Sequence, residues 1–285
     1  MDAGQSRGPG TTFRAVALPP AAPLSLRSAP WQVVTAGAAV GVLGGMIGLG
    51  GAEFRLPLLI GLFGFVALQA VILNKAMSLL VVLTALPARL AAVPLSTLTP
   101  HWPVVVNLLA GTLIGAWAGA SWAVRMRTST LYRVLAVMLV LIALALYASH
   151  AGTVQPLDLS TAAQVPAGAV AGFFIGVVAA VMGVAGGELL IPTIVVLYAV
   201  DIKTAGSLSL AVSLPTMLVA FARYSRDGSF AVLRDNRRFV LLMAGGSVLG
   251  TIVGGLAVGR VPDSVLIPLL TVVLLVSARK VWGHR

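Results

Sequence analysis

The chain of 285 residues contains no cysteine and only three histidines. The absence of cysteine excludes disulfide bonds, thiolate metal sites and thiol nucleophiles. The histidines at 101, 150 and 284 form no HExxH motif and no spaced cluster that could hold a metal ion. We therefore expect no metal site and no other cofactor.

Charged residues are also scarce. They make up 9% of the chain, and 59% of the residues are hydrophobic, whereas a soluble domain has about 25% charged and about 45–50% apolar residues. So few charges cannot cover the surface of a globular protein, which excludes a water-soluble enzyme and predicts an all-α polytopic membrane protein. The net charge of +11 comes from Lys and Arg between apolar segments. Such residues orient a membrane protein, so no nucleic-acid partner is expected.

Apolar stretches follow one another from Trp31 onward, and two of them are short. Segments 54–66 and 189–200 fall below the roughly 20 residues of a full helical span. Residues 1–30 are rich in Gly, Pro, Ser and Ala, carry three arginines and show no apolar periodicity. This composition predicts a flexible cytoplasmic tail.

Each short segment follows a glycine-rich break, and the two breaks match in sequence. The first reads GLGGAEFRLP from Gly48, and the second reads GVAGGELLIP from Gly183. One offset of 135 residues aligns Gly51 with Gly186, Glu53 with Glu188, and Pro57 with Pro192. We interpret the chain as an internal duplication, with a first transmembrane repeat at 31–150, an external linker at 151–165 and a second repeat at 166–285.

Basic residues cluster in non-equivalent loops of the two halves. Segment 125–133 carries three arginines and its counterpart 260–268 carries one, whereas segment 223–238 carries five and its counterpart 88–103 carries one. Because Lys and Arg favour the cytoplasmic side, this swap predicts repeats of inverted topology with both termini in the cytoplasm.

Two arrangements of each half satisfy this parity. Either each half has five spans, one of them very short, or each is a Gly-broken helical hairpin followed by three full transmembrane helices. The 13 residues of segment 54–66 would cover only about 20 Å of a hydrocarbon core about 30 Å thick. We therefore favour the hairpin.

Broken helices at equivalent places in inverted halves predict the binding site of a transporter. The start of a half-helix presents backbone N–H groups and a positive dipole end, which favours a small anion. Pro57 and Pro192 mark the helix breaks. The candidate substrate-binding residues are the glycines of the breaks and nearby polar residues: Gly48, Gly50, Gly51, Arg55, Asn74, Ser78, Gly183, Gly186, Gly187, Ser207, Ser209 and Ser213.

Several of these residues have a structural alternative. Glu53 and Glu188 either gate the site or couple it to protons, or they simply cap their helices. Arg55 either contacts an anion, pairs with Glu53 or snorkels to the interface. Lys75 either snorkels or faces the cavity, and the Asn and Ser side chains either bind substrate or join helices. The glycine ladders at 111–119 and 246–254 predict close helix packing.

These motifs resemble the sulfite exporter TauE/SafE family. The resemblance rests on the two breaks and on the polar sequences NKAMS from Asn74 and AGSLS from Ala205, and it covers about residues 33–282. It implies a secondary permease for sulfite, sulfonates or sulfoacetate in a bacterial plasma membrane. Ala185 and the pair Ile72-Leu73 depart from the family pattern, which weakens the transfer of a particular substrate.

The leading hypothesis is a secondary transporter for a small sulfur oxyanion or organosulfonate, working by alternating access in the inner membrane. The alternatives are an anion channel and a membrane scaffold or assembly subunit without transport activity. An intramembrane enzyme is disfavoured, because four of the eight acids lie in predicted loops and no nucleophile–base pair can be assembled. The expected partners are a small anion, lipid and a coupled proton, and the oligomeric state stays open.

Overall fold

The computed structural model describes residues 29–47, 51–92, 95–151, 157–226, 230–256 and 263–283. All regular secondary structure within these ranges is helical. The helices are α1 (Pro30–Ile47), α2 (Ala52–Gly61), α3 (Ala67–Ala92), α4 (Leu95–Leu98), α5 (Trp102–Arg125), α6 (Thr128–Ala151), α7 (Thr161–Met182), α8 (Gly187–Tyr198), α9 (Ile202–Ser225), α10 (Ala231–Asp235), α11 (Arg237–Leu256) and α12 (Asp263–Trp282), with a 3₁₀ turn at Thr99–His101.

Within the described ranges, six segments are long and apolar enough to cross a membrane. They are Ala67–Thr84, Thr99–Arg125, Thr128–Ala145, Thr161–Met182, Ile202–Ser225 and Arg237–Leu256. Charged side chains are almost absent from them, because a charge in hydrocarbon is costly. The prediction of an all-α, multi-pass membrane protein is confirmed.

Two helices are too short to cross a bilayer. α2 has 10 residues and α8 has 12, so at a rise of about 1.5 Å per residue they are about 15 and 18 Å long. A hydrocarbon core is about 30 Å thick. α2 and α8 occupy the segments that the sequence marks as short, 54–66 and 189–200. The helix α7 begins at Thr161, so its first turn falls inside the predicted linker 151–165.

Two pairs of helices pack at backbone contact through glycine. The pairs are α1 with α11 and α5 with α7. At most of these glycines a Cβ atom would overlap a carbonyl oxygen of the partner helix, as Gly41 would at Ser247 and Gly115 would at Phe173. The predicted packing role of the glycine ladders is confirmed. The glycines that face a partner backbone are Gly37, Gly41 and Gly45 on α1, Gly246, Gly250 and Gly254 on α11, Gly111, Gly115 and Gly119 on α5, and Gly172 and Gly176 on α7.

The glycine contacts also fix which helices belong together. α1 lies early in the chain and α11 late, and α5 precedes the predicted linker whereas α7 follows it. Each pair therefore joins the two halves of the chain. α9 packs on α5 and α3 packs on α11, while α6 packs against α12. The result is an interleaved bundle in which α2 and α8 are held at the centre by neighbours from both halves.

Candidate functional site

Both half-helices begin directly after a glycine in the left-handed region. Gly51, with φ of 69°, precedes α2, and Gly186, with φ of 85°, precedes α8. A residue with a Cβ is strained in this conformation, so glycine permits the sharp turn into each helix. At Gly51 a Cβ would also overlap the carbonyl oxygen of Val40. The chain can therefore reverse direction within a closely packed interior.

The other glycines of the breaks have different positions. Gly183, with φ of 71°, ends α7, and a Cβ there would overlap the carbonyl oxygen of Val71 on α3. Gly187 is the first residue of α8. Gly48 and Gly50, both predicted to bind substrate, lie outside the described residues.

Pro57 and Pro192 lie inside the half-helices, at the sixth residue of each. The helices continue through both prolines, so the turns of the backbone come earlier, at the glycines. Proline has no N–H group to donate to the carbonyl four residues before it. The carbonyl groups that lose this helical partner are those of Glu53 and Glu188.

Glu53 and Glu188 are brought together from the two halves. Each lies in the first turn of its half-helix, and a side-chain hydrogen bond joins the two carboxyl groups. Ionised carboxylates only accept hydrogen bonds. The contact therefore requires one of the two groups to carry a proton. The Oε2 atom of each glutamate is buried and has no hydrogen-bond partner among the described residues.

Asn74 of α3 connects the two breaks. Its side chain is completely buried, and Nδ2 donates to the carbonyl oxygen of Ala52 at 3.0 Å and to that of Met182 at 3.1 Å. One turn later, Ser78 donates to the carbonyl oxygen of Gly183 at 3.3 Å. Asn74 thus holds the start of α2 against the end of α7.

Lys75 is the second polar contact between α3 and the end of α7. Its side chain is completely buried, and Nζ donates to the carbonyl oxygens of Ala179 at 2.7 Å and Val184 at 2.8 Å. The last carbonyls of a helix lack intrahelical partners and carry the negative end of its dipole, which favours a cation there. Both contacts of Lys75 within the described structure are to carbonyl groups, so no carboxylate balances its charge directly.

Arg55 of α2 brings a second buried cation to the same place. Its side chain is completely buried. NH1 donates to Oδ1 of Asn74 and to Oγ of Ser78, both at 3.4 Å. Hydrogen bonds from a guanidinium to a charged acceptor are shorter, about 2.7–2.9 Å. The predicted residues Arg55, Asn74 and Ser78 therefore form one network, which touches the end of α7 in the second half.

Ser207, Ser209 and Ser213 do not join this network in the described structure. All three are buried on α9. Ser209 donates to the carbonyl oxygen of Gly206 at 2.9 Å, and Ser207 donates to that of Lys203 at 3.4 Å. These hydrogen bonds stay within α9, which is the structural alternative for a hydroxyl in a membrane helix.

Two participants were missed as site residues by sequence reasoning. Lys75 has a visible signal, a lysine inside an apolar segment, but its carbonyl partners have none. Tyr224 of α9 is completely buried and donates its hydroxyl hydrogen to the carbonyl oxygen of Ala180 at 3.0 Å. Nothing in the repeat indicates this contact, because the position equivalent to Tyr224 is Arg89.

A comparison with family models gives one match, to the Sulfite exporter TauE/SafE family, over residues 12–146. The resemblance to the TauE/SafE family is confirmed. The matched range contains Glu53, Arg55, Asn74 and Lys75, and the TauE/SafE family is one of membrane permeases. No curated protein and no solved structure matches the chain.

Proposed function

We propose that the protein is a secondary transporter for a small anion, a sulfur oxyanion or organosulfonate such as sulfite or sulfoacetate. The observation that carries this proposal is the pair of completely buried cations, Arg55 and Lys75, beside the meeting point of the starts of α2 and α8. Buried charge in a membrane protein is costly and is kept for function. The TauE/SafE match supports the permease class.

The two halves are proposed to be inverted repeats. The order long, short, long, long, long, which α1, α2, α3, α5 and α6 follow, returns in α7, α8, α9, α11 and α12 at the offset of 135 residues. The glycine pairing of α1 with α11 is matched by that of α7 with α5, as a two-fold relation requires.

The half-helices are proposed to enter from opposite sides of the membrane. Just beyond the end of α2, Phe63 packs on Phe239 near the start of α11. At the end of α8, the hydroxyl of Tyr198 accepts a 2.6 Å hydrogen bond from Asn107 near the start of α5. Start-to-start contact of two half-helices concentrates positive dipole ends on one site.

We assign the arginine-rich end of the bundle, together with both chain termini, to the cytoplasmic side of the cell inner membrane. At this end Arg223 donates to Oγ of Ser121 at 2.8 Å, and the guanidinium groups of Arg226 and Arg223 lie 4.9 and 5.7 Å from the ring centroid of Trp117. Basic and aromatic residues of this kind mark the cytoplasmic interface.

Alternating access is proposed to move composite units rather than the repeats themselves. α5 is locked to α7 and α9, and α11 is locked to α1 and α3. Each unit therefore contains the first three long or short helices of one half and the fourth main helix of the other. The contacts between the units run through Asn74, Lys75 and the two glutamates, so these residues gate the site in the proposed cycle.

The proposal is tested with purified protein in liposomes, by measuring uptake of radiolabelled sulfite with and without an imposed pH gradient. Wild-type flux should saturate with sulfite concentration, show counter-transport and respond to the gradient. Glu53→Gln and Glu188→Gln should make flux insensitive to the gradient. Asp158→Asn, at an exposed aspartate, is the matched control and should behave as wild type.

Each outcome has a separate meaning. Wild-type liposomes without flux of sulfite or of any other sulfur anion would contradict the permease. Flux that neither saturates nor shows counter-transport would indicate a channel. A pH response that persists in both glutamine variants would remove the coupling role of the glutamates and leave the transport proposal standing.

A further inference from the structure

Four ionisable side chains meet where α2 and α8 begin. Arg55 and Lys75 are completely buried and Glu53 is 2% exposed, while Glu188 is partly exposed with its Oε2 atom buried. Among the described side chains of α2, α3, α7, α8 and α9, Tyr224 is the other completely buried titratable group, and its hydroxyl is bonded to Ala180. The charge of the site is therefore set by these four residues.

The hydrogen bonds define how much charge each residue carries. The contact between the Glu53 and Glu188 carboxyl groups needs one proton, so the pair holds one negative charge. Arginine stays protonated in proteins. The Lys75 ammonium donates to two carbonyls at the end of α7, where the helix dipole favours a cation. Two positive charges and one negative charge leave a single positive charge without a partner.

The same contacts show where a negative charge can be received. Arg55 directs NH1 at two neutral acceptors, Asn74 and Ser78, at 3.4 Å. That distance is long for a guanidinium, which makes bonds of about 2.7–2.9 Å to anionic acceptors. An anion oxygen between Arg55 and Lys75 would replace neutral acceptors with a charged one. The network therefore offers a place for the missing charge as well as the need for it.

We propose that the site selects a cargo with a single negative charge, such as a monosulfonate or hydrogensulfite. A monoanion cancels the unpartnered charge, whereas a dianion leaves a buried negative charge that is costly to keep. A dianion is accepted only together with a second proton on the glutamate pair. This inference rests on the proposed function and narrows its substrate class.

The test uses anions whose charge does not change with pH. Methanesulfonate carries one negative charge and methanedisulfonate carries two, and both are titrated by calorimetry into purified protein in nanodiscs at neutral pH. The wild type should bind methanesulfonate at least about tenfold more tightly, a difference of about 1.4 kcal/mol. The probes share the sulfonate group, so the comparison isolates charge.

Three variants change the charge in known steps. In Glu53→Gln the amide donates to the Glu188 carboxylate in place of the shared proton, so the net charge and the preference for methanesulfonate should be unchanged. Glu53→Gln together with Glu188→Gln removes the remaining negative charge and should reverse the preference. Lys75→Met removes a positive charge and should weaken methanesulfonate binding at least about tenfold. Lys203→Met, at the exposed start of α9, is the matched control.

The outcomes separate this inference from the function on which it rests. Equal affinities, or tighter binding of methanedisulfonate by the wild type, overturn charge selection and leave the transporter proposal intact. Binding of neither probe by a protein that transports sulfite also overturns it. Binding of neither probe together with absence of flux contradicts the proposed function itself. The wild-type comparison decides the matter even where a double variant fails to fold.

Discussion

Lys75 of α3 donates a 2.7 Å hydrogen bond to the carbonyl oxygen of Ala179 in the last turn of α7. The two residues come from different halves of the chain. Their contact joins a cation to the negative end of a helix whose partner, α5, belongs again to the first half. A structural cap and a functional charge are combined in one side chain, and this is why its replacement is informative about anion binding.

Tyr224→Phe tests the other cap on the same helix end. The change removes only the hydroxyl that donates to the carbonyl oxygen of Ala180. We expect a loss of about 1 kcal/mol in the free energy of unfolding, because a buried hydrogen bond disappears without a change of shape. Unfolding by SDS titration in mixed micelles measures it. Tyr147→Phe, at an exposed ring, is the control, and equal stability of the two variants would contradict the role of the hydroxyl.

Gly246→Ala and Gly245→Ala form a matched pair on α11. A Cβ at Gly246 would overlap the carbonyl oxygen of Val34 on α1, whereas a Cβ at Gly245 meets no atom within 4 Å. We expect Gly246→Ala to cost about 1–3 kcal/mol through overpacking and Gly245→Ala to leave stability unchanged or slightly raised. Thermal unfolding followed by size-exclusion chromatography compares them. A Gly246 variant as stable as the Gly245 variant would show that α1 and α11 can separate without cost.

Asp201 caps α9 and should give the protein an acid-sensitive contribution to stability. Its carboxylate interacts with the side chain of Thr204 and accepts hydrogen bonds from the backbone N–H groups of Thr204 and Lys203, and these contacts lower the pKa of Asp201 below 3.8. Asp201→Ala should cost about 1 kcal/mol at neutral pH. Because the folded pKa is lowered, the contribution is present above the ordinary value and is lost as the pH falls through the folded one.

The measurement for Asp201 is the melting temperature of the wild type and of Asp201→Ala between pH 7 and pH 3. The difference between them should narrow below about pH 4. Asp201→Asn keeps an acceptor oxygen without a titrating group, so it should stay close to the wild type at neutral pH. A gap between wild type and Asp201→Ala that is unchanged at pH 3 would show that the cap does not depend on the charge.

Thr112→Cys combined with Thr216→Cys tests whether α5 and α9 move together. The two hydroxyl oxygens lie 2.8 Å apart, and the chain has no other cysteine to interfere. If the composite units are rigid, the oxidised protein should transport sulfite as fast as the reduced one. The two single-cysteine variants control for the substitutions. Flux that stops on oxidation and returns on reduction would place motion between α5 and α9.

The sequence predicts the helical class, the short helices and the glycine packing for clear physical reasons. Apolar length sets what can span a membrane, and small residues at every fourth position set what can approach closely. Helix partners are a different matter. An offset of 135 residues shows which helices are equivalent, but it cannot show that Gly37 of α1 packs against α11 rather than a neighbour in its own half.

The candidate site divides along the same line. Glu53 and Arg55 were identifiable because charges in apolar sequence are rare. The contacts of Lys75 were not, because its acceptors are backbone carbonyls, which every residue possesses. The serines at 207 and 209 looked equivalent to positions in the first half, yet they bond within α9 because a hydroxyl can always return its hydrogen to its own helix.

The glycine seam between α1 and α11 bears on how the protein is made. The first membrane helix to be synthesised packs onto one of the last, so its glycine-lined face meets lipid or a temporary neighbour while most of the chain is still being translated. A fragment that stops before α11 has nothing to cover that face. Two half-length genes should therefore give stable protein only when they are expressed together, and the second half acts as the folding partner of the first.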